Sequence, residues 1–419
     1  MNCRTAIIIS IGDELLIGQV IDTNSAVIAQ QLSGAGISVL KKYTIKDEAP
    51  EISNALDEAI PEADLVIMTG GLGPTNDDVT KATLNAYFKG SLKRDETVFQ
   101  HVVAFFKKRN RPMLVVNEAQ ADVPDVAQVL FNRLGTAPGM LFEKNNTWVV
   151  SLPGVPREMQ TIMLEELMPR LLAARTGNQV IHHEHILLFG RGESYVAADI
   201  KDIEDSLPAH ISLAYLPHYG LLKLRLSGKG TNIAQLQSEM GVYADMIHQR
   251  ELDFVFARKE STLERTVVEL LQENRLTIAS AESCTGGMVA SRITDIPGAS
   301  AVFMGTVVSY DNNIKHRILG VKNETLEQEG AVSAACVIQM AQSVRDMMQT
   351  DIAVAISGIL GPSGGTPTKP VGLVFFSVSS KYQTEVFDLN FPYDRAINKE
   401  MVVNTALNLV RKHIQAFFL

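Results

Sequence analysis

Asp64–Met68 is a short apolar run that leads directly into Gly70-Gly71-Leu72-Gly73, and no other feature narrows the possible folds so far. A brief continuous apolar stretch closed by glycines is what a strand buried on both faces looks like. Ala6–Ser10 is a second run of this kind, ending at Gly12. Between the two, Thr23–Leu32 reads as a helix with Ile28 and Leu32 one turn apart. Ile37–Ile45 reads as a strand, and Ile52, Leu56 and Ile60 repeat every fourth position of a further helix. A βαβαβ order predicts a doubly wound parallel sheet whose ligands lie at the carboxyl ends of its strands, where both glycine-rich turns fall.

A chain of 419 residues exceeds one ordinary core, so two or three domains are expected. We place them at residues 1–175, 176–255 and 256–419. In the middle segment His185–Phe189 and Leu221–Ser227 read as strands and Ile233–Ile247 as a helix, a small α+β insert. The last third alternates again. Its strand signals are Leu276–Ala279, Val302–Tyr310, Ile352–Ile356 and Leu373–Ser377. Its helical ones are Leu263–Glu273, Gly287–Thr294, Ser333–Met348 and Asn398–Phe417, giving a second α/β domain.

Several function classes are disfavoured. The net charge is -9 with no long basic run, which argues against a non-specific nucleic-acid surface. Cys3, Cys284 and Cys336 show no C-x-x-C spacing, so neither a disulfide framework nor a thiolate zinc site is expected. No apolar stretch approaches the roughly 20 residues of a membrane span, and no signal-peptide pattern occurs, so the cytoplasm is the expected compartment. His182, His183, Glu184 and His185 alternate between the faces of a strand and read as surface residues rather than a metal cluster.

Two regions carry chemistry. In the first, Gly12-Asp13-Glu14 and the segment Gly70 to Asp78 each follow a strand and precede a helix. Glycines let the backbone approach a ligand, and helix-starting N–H groups face an anion. Asp77 and Asp78 are hard oxygen donors suited to a divalent cation bound together with phosphate. The competing reading makes them an N-cap and first-turn acid pair.

In the second region, Ala281-Glu282-Ser283-Cys284-Thr285-Gly286-Gly287 follows a strand and opens a helix, so its amides are expected to form an anion or oxyanion pocket. Ser300, then Tyr310 and Lys315, then the loop Ser357 to Gly365, and finally Arg395 follow. Serine, tyrosine and lysine together suggest a serine nucleophile with lysine as base. That lysine must be neutral, against a free pKa of about 10.4, and burial or a helix start capped by Asp311 or Asn312 would lower it. The competing reading is a solvated lysine beside a core tyrosine. Cys284 has no histidine near it in sequence and reads as a spectator thiol.

With Asn117-Glu118-Ala119-Gln120, Gly135-Thr136-Ala137-Pro138-Gly139 and Leu152-Pro153-Gly154-Val155-Pro156, these motifs resemble the competence/damage-inducible CinA family. The resemblance implies a molybdopterin-binding-like first domain with metal-dependent ADP-ribose pyrophosphatase activity. A magnesium, manganese or cobalt ion would sit near Glu14, Asp77 and Asp78, with Gly12, Asp13, Gly70, Gly71, Gly73, Thr75 and Asn117 as substrate contacts. It implies a KH-like insert. Lacking a Gly-x-x-Gly loop and a basic face, this reads as a spacer or dimerisation element in a homodimer.

The last domain is similar to nicotinamide-mononucleotide (NMN) deamidases, which need no cofactor. The resemblance gives weight to Ser283, Ser300, Tyr310, Lys315, Ser357 and Arg395. Thr285, Gly286, Gly287, Gly358, Gly361 and Gly364 would line the substrate. Ser357 stands where relatives often carry Thr, Leu360 where Ala is usual, and Lys399 is placed to supply a second basic residue after Arg395. The family pairs the serine matching Ser300 with Lys315. A straight strand over Val302–Tyr310 would separate them, whereas Ser283 shares the sheet edge of Tyr310. Both serines therefore remain candidates. A pterin-binding protein without turnover and a DNA-binding competence accessory are the rival functions, the second disfavoured by the acidic charge.

Overall fold

The computed structural model describes residues 3–75, 78–174 and 180–419. Its contacts divide the chain into two compact units, Met1–His182 with Gly228–Gln237, and His183–Ser227 with Ser238–Leu419.

The first unit contains β1 (Thr5–Ile11), α1 (Thr23–Gly34), β2 (Ser38–Ile45), α2 (Ala49–Ala59), β3 (Leu65–Thr69), α3 (Thr80–Tyr87), β4 (Gln128–Leu130), β5 (Gly139–Lys144) and β6 (Thr147–Leu152). The sheet order is β2-β1-β3-β6-β5-β4, parallel from β2 through β6 and antiparallel beyond. The apolar run of β1 has a reason at each position. Ala6 and Ile8 pack with Ile28 and Leu32 of α1 on one face. Ile7 and Ile9 pack with Ile52 and Leu56 of α2 on the other. Burying an isoleucine fully is worth about 1.5–3 kcal/mol, so the register cannot slip by one residue cheaply. β2 and β3 flank β1 on opposite sides, so the strand order switches at β1, and the glycine turns after β1 and β3 emerge there on the carboxyl edge.

In the second unit, β7 (Val180–Phe189), β8 (Ile211–His218), β9 (Leu221–Gly230) and β10 (Val255–Ala257) form a sheet ordered β8-β9-β7-β10, accompanied by α4 (Ile233–Arg250). The tips of β7 and β9 group with the first unit.

The remainder is α5 (Leu263–Glu273), β11 (Ile278–Glu282), α6 (Met288–Thr294), β12 (Phe303–Val308), α7 (Asn312–Leu319), α8 (Ala334–Met348), β13 (Ile352–Gly358), β14 (Leu373–Ser380), β15 (Thr384–Asn390) and α9 (Arg395–Phe417). The order is β12-β11-β13-β14-β15, with the first three parallel and the last two antiparallel. Ile352, Val354 and Ile356 face the α5/α9 layer, while Ala353 and Ala355 face Val337, Met340 and Val344 of α8. The expected strand at Leu276–Ala279 lies later, and therefore ends against Ser283. Among the described residues no helix is long and apolar enough to cross a membrane.

Candidate functional site

Three parallel strands end abreast. Glu282 pairs with Val308 on one side and Ile356 on the other, so Ser283, Ser309 and Ser357 stand side by side on the carboxyl edge. The Ser283 amide donates to the Ile356 carbonyl and the Ser309 amide to that of Glu282. The chain then turns into α7, capped by the Asp311 side chain on the Asn313 amide. The cap aims Lys315 back at the strand ends. Its Nζ lies 3.1 Å from Ser283 Oγ, 2.7 Å from the Ser309 carbonyl and 3.4 Å from that of Tyr310.

Lys315 is 1% exposed, and among the described residues no carboxylate forms an ion pair with it. Burial holds its pKa below the ordinary lysine value, opposed by smaller attractions to Cys336, Cys284 and Asp311. A neutral amine has two N–H bonds and one lone pair. Nζ donates to both carbonyls and to the Ser283 hydroxyl; in the neutral form the two carbonyl bonds remain and the lone pair is left for the hydroxyl proton. The solvated-lysine reading does not hold here.

The turn after Ser283 differs from expectation. Glu282, fully buried, accepts from the amides of Gly287, Val289 and Ala290 at 3.0, 3.1 and 2.9 Å. The Gly286 amide donates to the Ser283 carbonyl. The start of α6 therefore already holds an anion, its own glutamate, and those amides are not open to a substrate. Gly286 and Gly287 keep left-handed backbones, φ 63° and 93°. The hydroxyls of Thr285 and Ser309 are buried with no protein partner, on the turns that carry Ser283 and Lys315. Cys284 is buried and its thiol is pushed up to about 12, first by burial, consistent with an inert thiol.

Tyr310 is 63% exposed, and its hydroxyl accepts from Arg395 at 3.1 Å; Arg395 also donates to the Gly361 carbonyl at 2.9 Å. Lys399, one turn along α9, places its amine 3.8 Å from where a Gly286 side chain would begin. Arg395 and Lys399 thus bring two cations to the turns that carry Lys315 and Ser283. The Ser357 hydroxyl donates instead to the Ala331 carbonyl at 2.7 Å. Gly358 lies against Val374 and Leu373 of β14, where a side chain would collide, so its smallness serves strand packing. Gly361 and Gly364 have φ 88° and 92° and shape the loop next to Arg395.

In the first unit Glu14 folds over Gly12, and Asp78 folds over Gly73 while accepting from the Thr75 amide at 3.0 Å. Asp13 is exposed on the short helical turn Asp13–Leu16. Gly70 abuts the Ile11 carbonyl, and Gly71 (φ 64°) abuts Thr80 and the Asp47 carboxylate. Asn117 accepts from the Leu114 amide at 3.0 Å and so caps a short helix. Asp77 lies outside the described residues. Glu14, Asp47 and Asp78 follow β1, β2 and β3 on one edge and are all carboxylates, the donors a hard divalent cation takes. Among the described residues no three His, Cys, Asp or Glu groups converge on one point. A divalent ion here would be held by one or two of these carboxylates and would otherwise depend on oxygens from substrate and water.

Residues 7–173 match the model of the probable molybdopterin binding domain, 183–257 that of the damage-inducible protein CinA KH domain, and 260–414 that of the CinA C-terminal domain. A CinA-like protein of Cytophaga hutchinsonii is 43% identical over 97% of this chain and 97% of its own. The chain belongs to the CinA family. A CinA-like protein of Flavobacterium psychrophilum is 40% identical over 98% of each chain. A solved competence/damage inducible protein of Agrobacterium tumefaciens is 36% identical, covering 36% of this chain and 92% of that one, with a TM-score of 0.35.

Within this CinA chain Ser300 does not meet Lys315. It is exposed on the turn Ala299–Ala301 before β12, at the amino edge of the sheet. The strand between spans about 17 Å at ~3.3 Å per residue. Ser283 is the serine that reaches the amine. Sequence reasoning missed Asp47, Glu282 and the Ser309 carbonyl. Each could have been suspected from its place just at the end of a strand, but only register shows which strand ends adjoin.

Proposed function

We propose that this CinA protein is a two-site hydrolase, and that its C-terminal site hydrolyses the carboxamide of a nicotinamide nucleotide, NMN, through Ser283 and Lys315. The observation that carries this reading is the buried Lys315 amine, hydrogen-bonded by one hydroxyl and two carbonyls without a counter-charge.

As Ser283 Oγ attacks the carboxamide carbon, Lys315 takes the hydroxyl proton. The ammonium it becomes keeps the two carbonyl acceptors, which stabilise the charge. Lys315 then gives the proton to the departing nitrogen, releasing ammonia and leaving an ester on Ser283. A water, deprotonated by the same amine, attacks the ester; the proton returns to Ser283 Oγ and the acid leaves. Arg395 and Lys399 suit the nucleotide phosphate, with Tyr310 fixing the Arg395 fork.

The N-terminal site is proposed to cleave a diphosphate such as that of ADP-ribose, with Asp78 and Glu14 or Asp47 holding a divalent ion. Such an ion, when bound, neutralises the diphosphate and acidifies water. Incubating the full chain with NMN tests the first activity, with ammonia expected from wild type and none from Ser283→Ala. Wild-type protein that releases no ammonia refutes it.

A further inference from the structure

Arg411 is 3% exposed, late in α9, and its guanidinium has only neutral acceptors. Nε and Nη2 donate to Asn408 Oδ1 at 3.0 and 2.9 Å, and Nη1 to Gln415 Oε1 at 2.9 Å and the Val255 carbonyl at 3.4 Å. Among the described residues it forms no ion pair with a carboxylate. A buried charge without an opposite partner is expensive, and burial alone pulls the Arg411 pKa down with nothing to oppose it.

Arg411 also lines a cavity of about 900 Å³ between the open edge of β10 and the end of α9. That volume is within the range of nucleotide-sized ligand pockets, about 300–1,000 Å³. Lys412 and Arg258 line it as well, the latter paired at 2.5 Å with Asp245 outside the lining. Asp253 is the one carboxylate in the wall. His248 completes it, with Nδ1 buried and without a protein partner. Burial, then Arg258, hold its imidazole below the ordinary histidine value, against Asp245. The wall thus carries Arg411 and Lys412, neither ion-paired among the described residues, and Arg258 with its Asp245 partner behind it, against the single carboxylate of Asp253.

We propose that this cavity binds a phosphate-bearing small molecule, with Arg411 and Lys412 facing the phosphate and Arg258 and His248 beside it. It is a second anion site, independent of the amidase reading. Arg411 stands sixteen positions beyond Arg395, about 24 Å along the same helix at 1.5 Å per residue.

Pyrophosphate titrated into the full-length protein is the test, read by the imidazole resonances of His248 in histidine-labelled material. A saturable shift is expected below about 1 mM, weakened at least tenfold in Arg258→Ala/Lys412→Ala. Both residues are exposed, so the double variant leaves the core intact and NMN turnover unchanged. Repeating the titration with AMP shows whether a nucleoside adds affinity; tighter binding than pyrophosphate strengthens the assignment. Absence of any saturable His248 shift up to about 10 mM of either anion overturns it. So does a shift of equal midpoint in the double variant.

Discussion

Replacing Lys315 by Met is the sharpest perturbation, because fold and chemistry should respond in opposite ways. Methionine keeps much of the length and volume and removes the amine. The three hydrogen bonds lost, at about 0.5–1.5 kcal/mol net each, amount to roughly 2–4 kcal/mol. Against this, a buried amine no longer has to be desolvated, a gain of similar size. Stability should therefore change little, with Tm moving by only a few degrees. Activity should collapse, because loss of a general base costs about 10²–10⁴ and loss of a member of a nucleophile–base pair more still. We expect ammonia release from NMN to fall at least about 10³-fold.

The pH behaviour adds a second readout. Lys315 must be neutral to act, so kcat/KM of the wild type should fall as pH is lowered through its depressed folded pKa. The unfolded chain takes up this proton at higher pH than the folded one. Wild-type stability from this site is therefore full above the unfolded pKa and declines as pH falls toward the folded value. Lys315→Met lacks the linkage, so its Tm should gain on wild type across that window. A Lys315→Met protein that melts like wild type yet turns over NMN within tenfold of it would refute the dyad.

The remaining predictions are simpler. Ser283→Ala should abolish ammonia release, whereas Ser300→Ala should leave it within about tenfold; the reverse outcome, in steady-state assays, would move the nucleophile to Ser300 and require another route to Lys315. Glu282→Ala strands three amides at the start of α6 and should destabilise the protein by roughly 3 kcal/mol in urea melts, an unchanged midpoint being inconsistent with the cap. Asp78→Asn should reduce metal-dependent AMP release from ADP-ribose at least about tenfold while NMN turnover stays constant, and equal losses in both assays would point to unfolding instead of a lost ligand.

How much of this was legible in the chain depends on the range of the interaction involved. The buried strands of the first sheet could be read from Ala6–Ser10 and Asp64–Met68, because a strand covered on both faces writes its burial into consecutive residues. Leu263–Glu273 was legible as a helix to the residue, because Thr262 caps it and its apolar spacing is regular. Half-exposed strands such as β8 and β15 have no such continuity and went unread. The motifs also named Ser283, Tyr310, Lys315 and Arg395 as members of one site.

What sequence could not decide was which serine meets the lysine, and what the glycine turn does. The first depends on register: pairing Glu282 with Val308 puts Ser283 beside Ser309, under the amine that α7 carries back, and leaves Ser300 at the opposite end of β12. The second depends on a side chain two positions before Cys284 turning inward. Glu282 fills the start of α6 with its own carboxylate, so amides that the motif led us to assign to a substrate are already bound. Local pattern fixes which segments become strands and helices, since propensity and burial act within a few residues. Which strand ends adjoin, and which charge is left without a partner, is set by contacts between residues tens of positions apart.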